Sequence, residues 1–375
     1  MKLEFKNEIC PYSFIAIILL SGCLFFYNRP HLNWDSLAYM GTLLELDGKN
    51  KNEIHDSVYI NLKTAGEKYH FLTNEDNYKK DMFASEEAFY QQLPFYRVKP
   101  LYILTCYAFY RLGIPLTKAV VFPSILSFLL VGILFFHWLN KYLSTFIALG
   151  ITILLMFSPA VMLTSRLATP DGLSVLLLFF GFFGFLEEKK YIYYTIFFCL
   201  SIFARPDNII FIILILVSNT IYNYVKDKNF YKKEYILPLS FVICSYSIIQ
   251  LFIEHYSWYT LFYHTFIEKI SYPNSFVSEF SVEIYIKGII QGILSLQYSF
   301  TYLPIFILIL LLSLRNLKLN SMDTLIALSV LISVFVRFLL FPDFTDRFYF
   351  IYYLISLILV IKSITNKTVN KYVTL

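Results

Sequence analysis

Four clusters of acidic and basic side chains interrupt a chain that is otherwise strongly apolar. They are Trp34-Asp35, the segment from Arg166 to Asp171, Arg205-Pro206-Asp207, and the segment from Asp343 to Arg347. A carboxylate can accept a proton from an attacking hydroxyl, and an arginine offers a planar fork of donors that matches a phosphate. These residue types together favour displacement at a sugar carbon that carries a lipid phosphate.

The composition is that of a membrane protein. Of the 375 residues, 58% are hydrophobic and only 15% are charged, and the mean hydropathy is +0.61. A soluble domain carries about 25% charged residues. The net charge of +5 comes from scattered basic residues, so no nucleic-acid surface is indicated. The five cysteines have neither paired nor metal-type spacing, and we interpret them as small buried hydrophobic residues.

Each polar cluster lies at the end of an apolar stretch. These stretches fall near 12–28, 100–112, 116–139, 143–163, 172–186, 191–204, 208–225, 235–254, 286–312, 324–341 and 348–362. A membrane span needs about 20 residues, so the stretch 100–112 is too short and is expected to lie at the outer surface. The sequence therefore predicts an all-α polytopic bundle with about ten transmembrane helices, in which residues 1–375 form a single domain and 116–362 contain the later spans.

The distribution of basic residues fixes the expected orientation. If 100–112 does not cross, one side of the membrane receives Lys141, Lys189, Lys190, Lys226, Lys228, Lys232, Lys233, Arg315 and Lys318. Basic loops face the cytoplasm, so both termini are expected there, in a cell inner (cytoplasmic) membrane. The same choice puts all four polar clusters on the extracytoplasmic side. Two interfacial helices, 34–47 and 81–96, are predicted within the first outer loop, 28–99.

Three motifs resemble the GT-C superfamily of integral membrane glycosyltransferases. Asn33-Trp34-Asp35 after the first span resembles the first outer loop of that superfamily. Lys99-Pro100-Leu101-Tyr102 resembles a Lys-Pro-Pro-Leu stretch of the aminoarabinose and mannose transferases. The segment from Ser165 to Asp171 resembles the second outer loop. The likeness covers roughly the first 210 residues, and the order of the motifs is more specific than any one of them.

The resemblance implies a GT-C fold and a role for each matching residue. Asp35 would be the catalytic base, Asp171 a second catalytic acid, and Lys99 a contact to the lipid phosphate. Further substrate-binding positions would be Tyr102, Arg166, Arg205, Arg337 and Arg347. The donor would be a polyprenyl-phosphate sugar, the acceptor a glycan, lipid or protein, and the reaction a single inverting displacement. Ser36 follows Asp35 where protein O-mannosyltransferases have a second acid, which argues against that subfamily.

Each of these residues also has a purely structural interpretation. Asp35 could cap an interfacial helix, and Asp171 could face the positive end of a helix dipole. Arg166 could pair with Asp171 only to neutralise it, and Arg337 could extend to the membrane surface. For Arg205-Pro206-Asp207, called the RPD segment below, the structural interpretation is a local ion pair between Arg205 and Asp207.

Other assignments stay open at the level of sequence. Glu254, His255 and His264 are possible ligands of a divalent cation, but no ligand spacing supports a metal site, and the cofactor is left unknown. A polysaccharide polymerase that joins lipid-linked repeat units shares the outward arginines. A lipid-glycan flippase or transporter would favour broken spans and internal symmetry, and no internal repeat is visible.

Overall fold

The described part of the chain is mainly helical. The computed structural model describes residues 9–66, 68–188, 190–227, 233–277, 279–297, 301–314 and 321–373. These residues form no β-strand, and a single backbone bridge joins His31 to Leu167. The predicted all-α class is confirmed. Among the basic residues that set the orientation, Lys189, Lys228, Lys232, Arg315 and Lys318 lie outside the described residues.

The first outer loop is more helical than the sequence predicts. After α1 (Ile9–Asn28) it contains α2 (Trp34–Leu46), α3 (Lys51–Ala65), α4 (Tyr69–Asn74), α5 (Asn77–Ala84), α6 (Glu86–Tyr90) and α7 (Pro94–Arg97). Helix α2 matches the predicted 34–47. Residues 81–96 are not one helix, because Ser85 caps α6 and Pro94 begins α7. Helix α3 was not predicted, although Asn50 and Glu53 form a capping box at its start.

The central helices follow the predicted apolar stretches. They are α8 (Pro100–Arg111), α9 (Leu116–Ala119), α10 (Phe122–Asn140), α11 (Thr145–Met156), α12 (Pro159–Arg166), α13 (Asp171–Phe183) and α14 (Tyr191–Ala204), with a π-helical turn (Gly184–Glu188) after α13. Helices α11 and α12 replace the single predicted span 143–163 and meet at an angle of 60°. The bend lies at Ser158-Pro159, where proline cannot continue the helical hydrogen bonds.

One predicted span in the C-terminal part is divided in two. The helices here are α15 (Asn208–Asp227), α16 (Lys233–Phe252), α17 (Trp258–Phe266), α18 (Val282–Leu294), α19 (Leu303–Leu314), α20 (Met322–Leu340) and α21 (Phe350–Val373). The predicted span 286–312 is therefore wrong as a continuous helix. Helix α18 ends in a 3-10 turn (Ser295–Gln297), and Pro304 lies at the start of α19.

The described helices are consistent with a helical membrane protein. Five of them are long and apolar enough to cross a bilayer, and the bent pair α11–α12 makes a sixth. Three further apolar helices, at Tyr191–Ala204, Leu303–Leu312 and Phe350–Thr365, are shorter than a usual span. The total of about ten spans stays a prediction.

Aromatic side chains hold the central helices together. Trp138 of α10 lies 5.1 Å from Phe179 of α13, and Phe182, one turn further along, lies 4.9 Å from Phe211 of α15. Phe211 in turn lies 4.8 Å from Tyr352 of α21. Such ring pairs contribute beyond the area that they bury. This packing fixes the C-terminal helix against the helices that precede it, so the ends of these helices have defined positions relative to one another.

Candidate functional site

The polar clusters meet at one end of the bundle in a continuous chain of ion pairs. Arg347 donates from a terminal nitrogen to Oδ2 of Asp35 at 3.0 Å, and its Nε lies 3.7 Å from Oδ2 of Asp171. Asp171 also pairs with Arg205. Arg205 donates to Oδ1 of Asp207 at 2.8 Å. Residues separated by more than 300 positions therefore share one site, although each cluster is only visible locally in the sequence.

The chain of ion pairs ends at an arginine inside a predicted span. Arg337, in the last turn of α20, is 93% buried and pairs with the second oxygen of Asp207. Its side chain does not extend to the surface, so the snorkelling interpretation is wrong. The arrangement instead matches the expectation that a charge within a span faces the interior of the bundle and finds a partner.

Asp35 is held by three donors at the start of α2. Its Oδ1 accepts from the Tyr96 hydroxyl at 3.2 Å, and its Oδ2 accepts from Asn33 Nδ2 at 3.1 Å as well as from Arg347. The helix cap is Asn33, whose side chain accepts from the Ser36 amide. No described backbone amide donates to Asp35, so the capping interpretation of this residue is wrong. The carboxylate is available for chemistry.

The charge balance around Asp35 keeps it ionised. Burial raises the pKa of its carboxyl, but the charge and hydrogen bond of Arg347, the charge of Lys99 and the Tyr96 hydroxyl together outweigh burial and lower the pKa below its ordinary value. A carboxylate that is already deprotonated can accept a proton. Three-quarters of its side chain is shielded from solvent, and the remainder is open.

Asp171 is buried at the start of α13, beside α10. Its exposure is only 3%. Gly172 permits this position, because a Cβ there would lie 3.1 Å from the Cα of Ser124 in α10. The partner of Asp171 is Arg205 and not Arg166. The predicted neutralisation of Asp171 by Arg166 is therefore wrong.

Three guanidinium groups surround one aromatic ring. The Cζ atoms of Arg205, Arg337 and Arg347 lie 4.6, 4.6 and 4.7 Å from the ring centre of Phe348. Stacking of this kind attracts cations to the ring face. Stacking on the same ring also brings the three positive guanidinium groups close to one another. Their mutual repulsion is unfavourable unless negative charge is near. Asp207 supplies part of it: burial raises the pKa of its carboxyl, but Arg205 and Arg337 hold it well below the ordinary value.

The arginines retain unused donors. Among the described residues, the buried Nε atoms of Arg337 and Arg347 have no hydrogen-bond partner. Buried polar groups are rarely left unpaired. A cleft of about 310 Å³, open solvent included, adjoins them and is lined by Asp171, Ser174, Val175, Arg205, Asp207, Asn208, Arg337, Arg347, Phe348, Ile351 and Tyr352. Both arginines that carry these unused donors line the cleft.

Lys99 lies on the other side of Asp35. Its Nζ donates to the Phe95 carbonyl at 3.2 Å and lies 5.1 and 5.8 Å from the rings of Tyr96 and Tyr39. Burial lowers its pKa to about 8, although the charge of Asp35 acts in the opposite direction. An ammonium group with a pKa near neutrality can hold an anion and can also lose its charge.

Four predicted site residues do not line the cleft: Asp35, which reaches it through Arg347, and Lys99, Tyr102 and Arg166. Tyr102 is fully buried, donates to the Val120 carbonyl at 2.5 Å, and packs 4.7 Å from Tyr39. It therefore supports Tyr39 and does not line the cleft. Arg166 donates from Nε to the Arg29 carbonyl at 2.7 Å, away from the ion pairs.

Several residues that shape the site were not predicted from the sequence. Asp207 was considered only as a local partner of Arg205, yet it joins two arginines from different helices. Phe348, Tyr96 and Asn33 were not selected. Only Asp207 has a local signal, its place in the RPD segment, whereas Phe348 and Tyr96 are two among 39 phenylalanines and 31 tyrosines.

The residues considered as metal ligands are engaged elsewhere. Glu254 pairs with Arg97, His255 contacts Gln250 at 3.0 Å, and His264 accepts from the Ile270 amide at 3.0 Å. Within the described residues, no group of three or more His, Cys, Asp or Glu side chains is placed to hold a metal ion.

Comparison with known proteins gives no relative. No protein-family model matches this chain, and no curated protein or solved structure is detectably similar to it.

Proposed function

We propose that this protein is a GT-C-type membrane glycosyltransferase that moves a sugar from a polyprenyl-phosphate donor to an acceptor. The observation that carries the proposal is the joining of Asp35, a partly exposed carboxylate, to three guanidinium groups through Arg347. Asp35 would serve as the base, and the guanidinium groups beside it would hold an anion. This arrangement suits a reaction in which a hydroxyl loses its proton while a phosphate leaves nearby. The order of motifs in the first 210 residues supports the same assignment.

In the proposed reaction the acceptor hydroxyl attacks the anomeric carbon of the donor sugar. A carbon–oxygen bond forms, and the bond from the anomeric carbon to the phosphate oxygen breaks, with its electron pair leaving on the phosphate. Asp35 takes the hydroxyl proton. The product is the inverted glycoside, and the second product is the free polyprenyl phosphate.

The arginines are suited to the negative charge that develops on the leaving phosphate. Donors held in place before the reaction stabilise that charge without reorganisation. Arg337 and Arg347 have unused buried Nε atoms beside the cleft. Asp207 holds Arg205 and Arg337 in position, while Lys99 adds a fourth positive charge on the Asp35 side.

Arg347 has a second role in this proposal. In the structure it donates to Asp35. A donor phosphate that drew the guanidinium away would weaken its hold on the carboxylate, and the pKa of Asp35 would rise. Asp35 would then be a stronger base when the donor is bound.

The acceptor would be a glycan, lipid or protein at the extracytoplasmic face of a cytoplasmic membrane, with both termini in the cytoplasm.

Replacement of the base tests the proposal. Asp35→Asn should lower the transfer rate by about two to four orders of magnitude, the usual contribution of a general base, while donor binding is retained. Asp343→Asn is the matched control, because Asp343 caps the local turn at Thr345. Transfer at the full rate by a correctly inserted Asp35→Asn protein would refute the mechanism.

A further inference from the structure

A second group of positive charges lies where α1 ends, apart from the cleft. Arg29 follows α1, and Arg166 is the last residue of α12. Arg166 donates to the carbonyl of Arg29, and the amide of His31 donates to the carbonyl of Arg166 at 2.9 Å. Two distant segments are thus held side by side by their backbones, and this contact fixes the two arginines next to each other.

The two arginines lie on an exposed apolar surface. The ring of Phe25, which is 40% exposed, has the guanidinium of Arg29 5.3 Å and that of Arg166 5.8 Å from its centre. Leu24 beside it is 66% exposed, and Leu163 on α12 is 42% exposed. Exposed apolar side chains on a candidate span face lipid, so both arginines lie where the apolar surface of α1 gives way to the polar outer loop.

No described carboxylate pairs with Arg29 or Arg166. His31, two residues after Arg29, contacts Lys68 at 2.9 Å. Burial, and then the charges of Lys68 and Arg166, lower the pKa of His31, which keeps this imidazole neutral at pH 7. Two guanidinium groups fixed on one ring without an acidic partner repel each other unless an anion is present.

We propose that Arg29 and Arg166 form a separate anion site that binds the phosphate group of a lipid at the outer end of α1. The planar forks of two arginines match phosphate oxygens, and the apolar surface of Leu24 and Phe25 accommodates the lipid chains. The phosphates of a bilayer lie at the boundary where these arginines are held. The inference does not depend on the proposed transfer reaction, because it concerns binding alone.

Native mass spectrometry of the purified full-length protein tests this site. The probes are dioctanoyl phosphatidylglycerol, dioctanoyl phosphatidylcholine and a short polyprenyl phosphate. The wild type should bind the anionic lipids more tightly than phosphatidylcholine. Changing both Arg29→Gln and Arg166→Gln should weaken that binding at least about tenfold, because hydrogen bonds to a charged group are lost.

Two variants control for charge and for folding. Arg111→Gln removes an exposed arginine that contacts Asp47 in the first outer loop, and it should bind the lipids as the wild type does. Arg29→Lys with Arg166→Lys keeps the charges and should retain part of the preference. If both anionic lipids respond to the glutamine changes, the site accepts bulk lipid phosphate. If only polyprenyl phosphate responds, the site is selective for the carrier. Equal binding by the wild type and the double glutamine variant would overturn the proposal.

A measurement on the wild type covers the case in which the double variant fails to fold. Phenylglyoxal modifies accessible guanidinium groups. Bound anionic lipid should protect Arg29 and Arg166 from modification and leave Arg111 unprotected. Equal modification of all three arginines with and without lipid would also overturn the proposal.

Discussion

Arg347 donates to Asp35 at 3.0 Å across a separation of 312 residues, and its Nε lies 3.7 Å from Asp171. One guanidinium therefore contacts both carboxylates that the sequence marks as catalytic candidates. It also stacks on Phe348 together with Arg205 and Arg337. A change at Arg347 should affect the base and the anion site at once.

Arg347→Gln should shift the acidic limb of the pH profile. Because Arg347 lowers the pKa of Asp35, its removal raises that pKa. Asp35 in the variant then stays protonated up to a higher pH. As the pH is lowered, kcat/KM, which reports the free enzyme, should therefore begin to fall at a higher pH than in the wild type. The KM for the donor should also rise about tenfold, the effect of losing one charge-assisted hydrogen bond. An unchanged acidic limb would show that Arg347 does not control the pKa of Asp35.

Lys99 should set the alkaline limit of donor binding. Burial lowers its pKa to about 8, so the ammonium is charged below that pH and neutral above it. The KM for the donor should therefore rise as the pH passes through about 8. Lys99→Arg keeps the charge and should move this limit to higher pH, whereas Lys99→Met should raise KM below about pH 8 and remove the pH dependence. A flat KM between pH 7 and pH 9 in the wild type, conditions chosen about one unit either side of that pKa, would contradict this role.

Asp207→Asn should destabilise the protein. The carboxylate lies between Arg205 and Arg337, and its loss leaves two buried guanidinium groups without their shared partner. Breaking a buried pair costs about 3–5 kcal/mol, and the lower end applies because a third of the Asp207 side chain is exposed. Thermal unfolding in detergent measures the change. Glu87→Gln, which breaks an exposed pair with Lys51, should cost less than about 1 kcal/mol.

Cysteine accessibility tests the orientation in the membrane. In a variant without native cysteines, Asn52→Cys and Thr345→Cys should react with a membrane-impermeant maleimide added outside the cell. Lys190→Cys should react only after the cells are opened. All three positions are exposed, so burial does not explain a difference between them. Labelling of residues 52 and 345 from opposite sides would be incompatible with a single outer site.

Much of the site could be predicted because a charge beside an apolar stretch is a local signal. Asp35, Asp171, Arg205, Arg337 and Arg347 each stand at or near the end of such a stretch, and all belong to one chain of ion pairs. The local pair of Arg205 with Asp207 was foreseen, but the pairings between distant segments were not predictable. Arg166 is five residues before Asp171, yet its side chain turns to the Arg29 carbonyl, and the partner of Asp171 comes from α14.

The predictions about the fold that were wrong failed for local physical reasons. The stretch 286–312 is predominantly apolar, so hydropathy alone does not show that α18 ends and α19 begins within it. Helix α3 was missed although Ile54, Val58 and Leu62 recur at helical spacing and the capping pair Asn50 and Glu53 marks its first turn. Tyr96 and Phe348 reach the site through tertiary packing, which no spacing along the chain reveals.

The order of charges along the chain has a consequence for biogenesis. Asp35, Asp171 and Asp207 are all synthesised before α15, together with Lys99 and Arg205, whereas Arg337 and Arg347 emerge from the ribosome much later. Until α20 and α21 insert, these three carboxylates have only two basic partners from the site, Lys99 and Arg205. A nascent chain stalled before α20 would thus hold surplus negative charge against the membrane, and the arrival of the final helices would complete its neutralisation.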